Sequence, residues 1–72
     1  MQRGDVVKSL KGRDAGSIYA VILIKDGIAY LANGRNRTVE NPKKKNAKHL
    51  EVLASVQDFV AKDTDIRKYC KI

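Results

Sequence analysis

Residues 17–33 read Ser17-Ile18-Tyr19-Ala20-Val21-Ile22-Leu23-Ile24-Lys25-Asp26-Gly27-Ile28-Ala29-Tyr30-Leu31-Ala32-Asn33, and this stretch decides the fold. From Ile18 to Ile24 every side chain is β-branched, aromatic or otherwise apolar, the composition of a strand. Asp26-Gly27 stands between two apolar runs, and that dipeptide tolerates φ > 0 at both positions of a two-residue type I′ turn. The stretch therefore reads as a hairpin, with Ser17 to Lys25 going out and Ile28 to Asn33 returning. With Asp26 and Gly27 as the loop, Lys25 faces Ile28, Ile24 faces Ala29, Leu23 faces Tyr30 and Ile22 faces Leu31. One face then carries Ile18, Ala20, Ile22, Ile24, Ala29 and Leu31, and the other Tyr19, Val21, Leu23, Ile28, Tyr30 and Ala32. A sheet with one wet face alternates apolar and polar residues. This hairpin is apolar on both faces and should be covered on both.

Outward from the hairpin, Gly4 to Leu10 reads as a first strand and Lys11 to Gly16 as a loop. Asn33-Gly34-Arg35-Asn36 is a turn leading into a short strand, Arg37 to Glu40. Asn41-Pro42 breaks the pattern, since proline removes a donor and holds its predecessor extended, and Lys43-Lys44-Lys45-Asn46 continues that loop. His49 to Leu53 is a last strand, with Leu50, Val52 and, at its end, Ala54 facing inward. Five short strands joined by glycine-rich turns predict a small barrel. In the tail, Ile66, Tyr69 and Cys70 fall at i, i+3 and i+4, a helical stripe. Asp63 or Thr64 is placed to cap it, and Arg67, Lys68 and Lys71 suit its C-terminal end. Residues 55–62 fit either a helical turn or a continuation of the strand period. The expectation is a mainly β fold: a five-stranded barrel over residues 1–54, and a tail over 55–72 whose short helix packs on the barrel's outer face.

The chain has 72 residues, 15 of them Lys or Arg against 8 Asp or Glu, a net charge of +7. That length makes one domain with a small core. Residues 1–54 hold eleven basic and five acidic side chains (+6), and residues 55–72 four and three (+1). The positive field thus belongs to the barrel segment, and such a field attracts phosphate backbones. Cys70 is the lone cysteine, which argues against a disulfide scaffold. One His and one Cys, His49 and Cys70, give no zinc-ligand spacing, and a dyad of the two has no further support. No Gly-rich phosphate loop ends in Lys-Ser/Thr. No enzyme, cofactor, metal or small-molecule substrate is expected. Nothing near Met1 resembles a signal peptide, and the run Ile18 to Ile24 is too short to span a bilayer. The expectation is a soluble cytoplasmic protein with no membrane partner.

Candidate anion contacts fall in three places. Lys43, Lys44 and Lys45 follow Pro42 with no acid before His49, which suits a phosphate grip, although a charge run is also the usual dress of a solvated loop. Arg35 and Arg37 flank Asn36, where guanidinium forks bind phosphate or stack on bases and the amide could read a base edge. Lys11 and Arg13 share the first loop with Asp14, which partly offsets them. Lys48 and His49 could add a phosphate or stacking contact, or His49 is an ordinary strand-edge residue. Tyr19, Tyr30 and Tyr69 are read as packing residues, so recognition through backbone and shape is favoured over stacking on single strands.

Gly4-Asp5-Val6-Val7-Lys8, Gly12-Arg13-Asp14-Ala15-Gly16 and the long apolar strand together resemble a KOW motif. Asn33-Gly34-Arg35-Asn36-Arg37, Asn41-Pro42-Lys43-Lys44-Lys45-Asn46 and Lys48-His49-Leu50 are similar to KOW-domain RNA-binding proteins of the fourteen-e, six-e and twenty-seven-e ribosomal types and their bacterial relatives. The resemblance covers residues 2–53. It implies an SH3-like barrel of the translation-protein type that binds structured RNA, often ribosomal RNA, with ribosomal proteins as neighbours, and it places a basic contact at Arg13. KOW motifs in transcription elongation factors also touch proteins, so a protein-docking module is the competing expectation, marked by an exposed cluster of Tyr19, Tyr30 and Phe59. Charge alone leaves DNA open.

Overall fold

The computed structural model describes residues 1–71; Ile72, which the sequence reading included in the tail, lies outside them. Five strands, β1 (Asp5–Ser9), β2 (Ile18–Lys25), β3 (Ile28–Ala32), β4 (Lys43–Asn46) and β5 (Leu50–Ser55), form one antiparallel sheet in the order β4-β3-β2-β1-β5. A one-turn 3-10 helix, Ala47–His49, joins β4 to β5, and a short helix, α1 (Asp63–Tyr69), ends the fold.

The hairpin forms at Asp26-Gly27, where both residues have positive φ (52° and 77°), as a type I′ turn requires. Next to the turn the register is as expected: Lys25 pairs with Ile28, Ile24 with Ala29 and Leu23 with Tyr30. Ile22 does not face Leu31. A β-bulge leaves it without an opposite residue, and Val21 pairs with Leu31 and Ala20 with Ala32. Because side chains alternate along a strand, one extra residue moves everything beyond it to the other face. Tyr19 and Val21 thereby join Val7, Ala29, Leu31 and Leu50 in one core cluster, with Ile24 against it. Ala20 and Ala32 turn to the opposite face, where Ile66 of α1 packs on them with Ile22, Val39, Phe59, Tyr69 and Cys70 around it. The small side chains of Ala20 and Ala32 let the helix approach the sheet closely, and Ile66 is fully buried there.

Four further expectations are corrected. Residues 37–40 form no strand: the Val39 N–H donates instead to Asp63 Oδ1 at 2.9 Å. Asp63 therefore does not cap α1; Lys62 occupies the N-cap without a side-chain cap bond. Lys43 to Asn46, read as a loop, is β4, paired from Lys43↔Leu31 to Asn46↔Ile28. As an edge strand it tolerates lysines, which blunt a free edge. Lastly, Leu50 alone of the three β5 residues expected inside is buried. A second bulge leaves Leu53 unopposed between Val6↔Ala54 and Val7↔Val52, no strand lies beyond β5 among the described residues, and Val52 and Leu53 remain 45% and 39% exposed.

The sheet curls. Five strands laid flat would put β4 and β5 about 19 Å apart, yet four residue steps, Asn46 to Leu50, join them, and that link spans at most about 14 Å. The Ala47 N–H donates to the Gly27 carbonyl at 3.0 Å and the Leu10 N–H to the His49 carbonyl at 2.9 Å. The 3-10 turn is thus tied to the β2–β3 turn on one side and to the end of β1 on the other.

Candidate nucleic-acid interface

The loop Lys11 to Gly16 ends β1 and starts β2, with Gly16 N–H donating to the Ser9 carbonyl at 2.8 Å and Ser17 N–H to the Asp14 carbonyl at 2.8 Å. These bonds fix Asp14 over the edge of the Tyr19 core. Its carboxylate accepts from the Ser9 hydroxyl (3.0 Å), the Tyr19 hydroxyl (2.9 Å) and Lys45 Nζ (3.0 Å), and Lys43 Nζ lies 3.4 Å away. Lys43 and Lys45 sit two apart on β4, opposite Leu31 and Ala29, so both reach inward across the core to the same carboxylate. Lys45 Nζ also donates to the Lys11 carbonyl at 2.8 Å. Only 12% of the Lys45 side chain and 13% of that of Asp14 are exposed, against 27% for Lys43. Burial raises the carboxyl's pKa, but the Lys45, Tyr19 and Ser9 bonds and the Lys43 charge outweigh it and hold Asp14 well below the usual carboxylate range. Burial, and then the bond to Asp14, push the Tyr19 phenol up.

Around this hub the structure gathers cations from distant parts of the chain. Lys11 and Arg13 are exposed on the first loop. Arg37, half-buried, closes the 33–37 loop, its N–H donating to Asn33 Oδ1 and its carbonyl accepting from the Asn33 and Gly34 N–H groups. Lys48 is exposed and His49 half-buried in the 3-10 turn, which is bonded through the His49 carbonyl to Leu10. Asp14 is the only carboxylate in an ion pair among the described residues. Its one charge is shared by Lys43 and Lys45, and on the rim around it the exposed Lys11 and Arg13 of the same loop have no ion-pair partner among the described residues.

The loop 33–37 is held in shape by its own first residue. Asn33 Oδ1 accepts from the Arg35 and Arg37 N–H groups (2.9 and 3.1 Å), and its Nδ2 donates to Asn36 Oδ1 at 2.8 Å. Arg35 and Asn36 are exposed at the tip. Arg67 of α1 donates from Nε and Nη2 to the Gly34 carbonyl (3.1 and 2.8 Å), so the helix braces this loop from behind.

Lys44 is not on the rim. Alternation along β4 turns it to the outer face, exposed, with Nζ 5.6 Å from the centre of the Tyr30 ring. The three lysines of the run therefore divide into Lys43 and Lys45, which clamp Asp14, and Lys44, which points away. The exposed cluster that would mark a docking module does not form: Tyr19 is buried, Phe59 packs against Tyr69 with ring centres 5.5 Å apart beneath the helix, and Tyr30 is half-buried farther along the sheet. Sequence reasoning missed Asp14 as the hub and Arg67 as a loop brace. The lone acid of KGRDAG was visible, but the lysine that bonds it most closely lies 31 positions away. No protein-family model and no curated protein matches this chain.

Proposed function

We propose that this chain is an RNA-binding protein and not an enzyme, built on a small SH3-like barrel, which holds folded RNA of the ribosome, among ribosomal proteins, through the basic rim around Asp14. The observation that carries this reading is the bonding of Lys43 and Lys45 of β4 to Asp14, which brings that strand against the first loop, where Lys11 and Arg13 are exposed. The Lys43 and Lys45 bonds to Asp14 hold the first loop, so its backbone needs little further ordering when a phosphate arrives, and a guanidinium on it binds phosphate in two places. Arg13, Lys11, Arg37 and Lys48 are the freer groups and make the phosphate contacts, with Arg35 and Asn36 adding a second contact from the preformed 33–37 loop. Lys45 acts by holding the first loop. The curl of the sheet and the three-residue link between its edge strands support the barrel. The resemblance to KOW proteins favours RNA over other polyanions.

Titration of a folded ribosomal RNA fragment at several salt concentrations tests this. With about five phosphate contacts the log–log slope lies near −3.5 to −4.5. Replacing Arg13 and Arg37 together by glutamine flattens it by about two contacts' worth, while duplex DNA of equal length competes poorly. A slope unchanged in the double variant overturns the rim as the site. The exposed Val52 and Leu53 on the free edge of β5 are the feature that favours a protein-docking module instead. That reading requires a protein partner whose binding Leu53→Lys abolishes.

A further inference from the structure

The outer face of β2, β3 and β4 carries two short rows that no other part of the described chain covers. Leu23 pairs with Tyr30 and Tyr30 with Lys44; one step on, Lys25 pairs with Ile28 and Ile28 with Asn46. Residues two apart along a strand share a face, so these six side chains form one patch. Leu23 is 49% exposed, Lys25, Lys44 and Asn46 are exposed, and Tyr30 and Ile28 are half-buried. Helix α1 covers the same sheet only farther along, at Ala20, Ile22 and Ala32. The patch has an aromatic ring at its centre, lysines at two corners and no carboxylate; Asp26 lies in the turn beyond Lys25.

We infer that this outer face is a second nucleic-acid contact, on which an unpaired base of a single-stranded RNA segment stacks on Tyr30 while Lys44 and Lys25 hold the flanking phosphates. This rests on the RNA-binding reading and adds to it a single-stranded site on a different face from the rim. Sheet faces with exposed aromatics bind unstacked bases because every base has a π-face. Lys44 now stands over the Tyr30 ring. Base–aromatic stacking is worth about two to three times an exposed cation–π contact, so a base displaces the ammonium from the ring. The ammonium, on a flexible stem, then turns to the phosphate beside it. A second copy of the chain is a poor occupant, since a two-fold contact would set lysines against lysines. An extended polyanion with flat apolar bases matches both the charge and the ring.

The test uses the full chain with two probes, an oligoadenylate single strand of about twelve nucleotides and an RNA duplex of the same length. Tyr30→Leu weakens the single strand about ten-fold and leaves the duplex affinity and both salt slopes unchanged; Tyr30→Phe restores the single-strand affinity. Leu23→Glu, at an exposed position that does not disturb folding, weakens the single strand several-fold and guards against a Tyr30→Leu chain that fails to fold. Single-strand affinities equal to wild type in Tyr30→Leu and Leu23→Glu overturn the inference while leaving the rim reading intact. Wild type that binds neither RNA overturns both readings. Self-association in sedimentation that Tyr30→Leu abolishes assigns the patch to a second copy and overturns the inference.

Discussion

Replacing Gly34 by alanine puts a methyl group into the space where α1 meets the 33–37 loop. The new Cβ would overlap the Asp63 carbonyl oxygen and stand 3.0 Å from the Arg67 nitrogen and 3.1 Å from its Cβ. The neighbour is helix backbone, so relief requires α1 to move. Gly34 also has φ of +76°, which costs an alanine about 1–2 kcal/mol. If α1 comes away, the burial of Ile66 is lost, about 1.5–3 kcal/mol. The Arg67–Gly34 and Val39–Asp63 bonds add a further loss of about 1.5–3 kcal/mol. The whole is about 4–8 kcal/mol, against a total stability of about 4–11 kcal/mol for a chain of this length. Gly27 supplies the control. Its φ is +77°, and an added Cβ there meets nothing within 4 Å, so Gly27→Ala carries the backbone cost alone. In thermal unfolding followed by circular dichroism, Gly27→Ala lowers the midpoint by about 5–15 °C, and Gly34→Ala lowers it much further or leaves the chain largely unfolded at 37 °C. Midpoints within about 3 °C of each other would refute the docking role given to Gly34.

Other consequences follow from the same contacts. Ile66→Ala, at a fully buried position between the helix and the sheet, destabilises by about 2–5 kcal/mol in urea unfolding, and a loss below about 1 kcal/mol would mean the helix is not docked as described. Asp14 has a lowered folded-state pKa, so the stability it contributes is complete above its unfolded value of about 3.9 and is lost as pH falls below it. Asp14→Asn accordingly melts lower than wild type at pH 7, and the gap narrows on acidification from pH 5 to pH 2; a gap independent of pH contradicts the clamp. Leu53→Lys, on the free edge of β5, reduces concentration-dependent association in light scattering with a change in stability of less than about 0.5 kcal/mol.

How much of this was legible varies with distance from the turn. Asp26-Gly27 carries its own geometry, so the hairpin and its first three pairs follow from local chemistry. The bulge at Ile22 has no compositional mark, since any of the seven apolar residues could have been the extra one. The missed residue exchanged the two faces, sending Tyr19 and Val21 into the core and Ala20 beneath the helix. Lys43 to Asn46 has poor strand propensity, and what makes it a strand is pairing with β3 and the Asp14 carboxylate, neither of which is local. Val39 looked like strand because it is β-branched, but its N–H is claimed by Asp63, 24 residues on. Of the segments holding the candidate residues, 11–13 and 35–36 are loops as expected, whereas 43–45 is a strand. Which lysine faces the rim and which faces Tyr30 depended on knowing that the segment is a strand.

The pairing of β1 with β5 also sets the order in which this protein acquires its shape. The bond between Ser55 and Asp5 closes a separation of 50 residues, whereas β2 and β3 are joined by two. Closing the longer loop costs entropy before any contact repays it, so the hairpin is the natural first structure and β1 waits for its outer neighbour. Until β5 arrives, β1 keeps one edge unpaired, and an unpaired edge is a template for pairing with another chain.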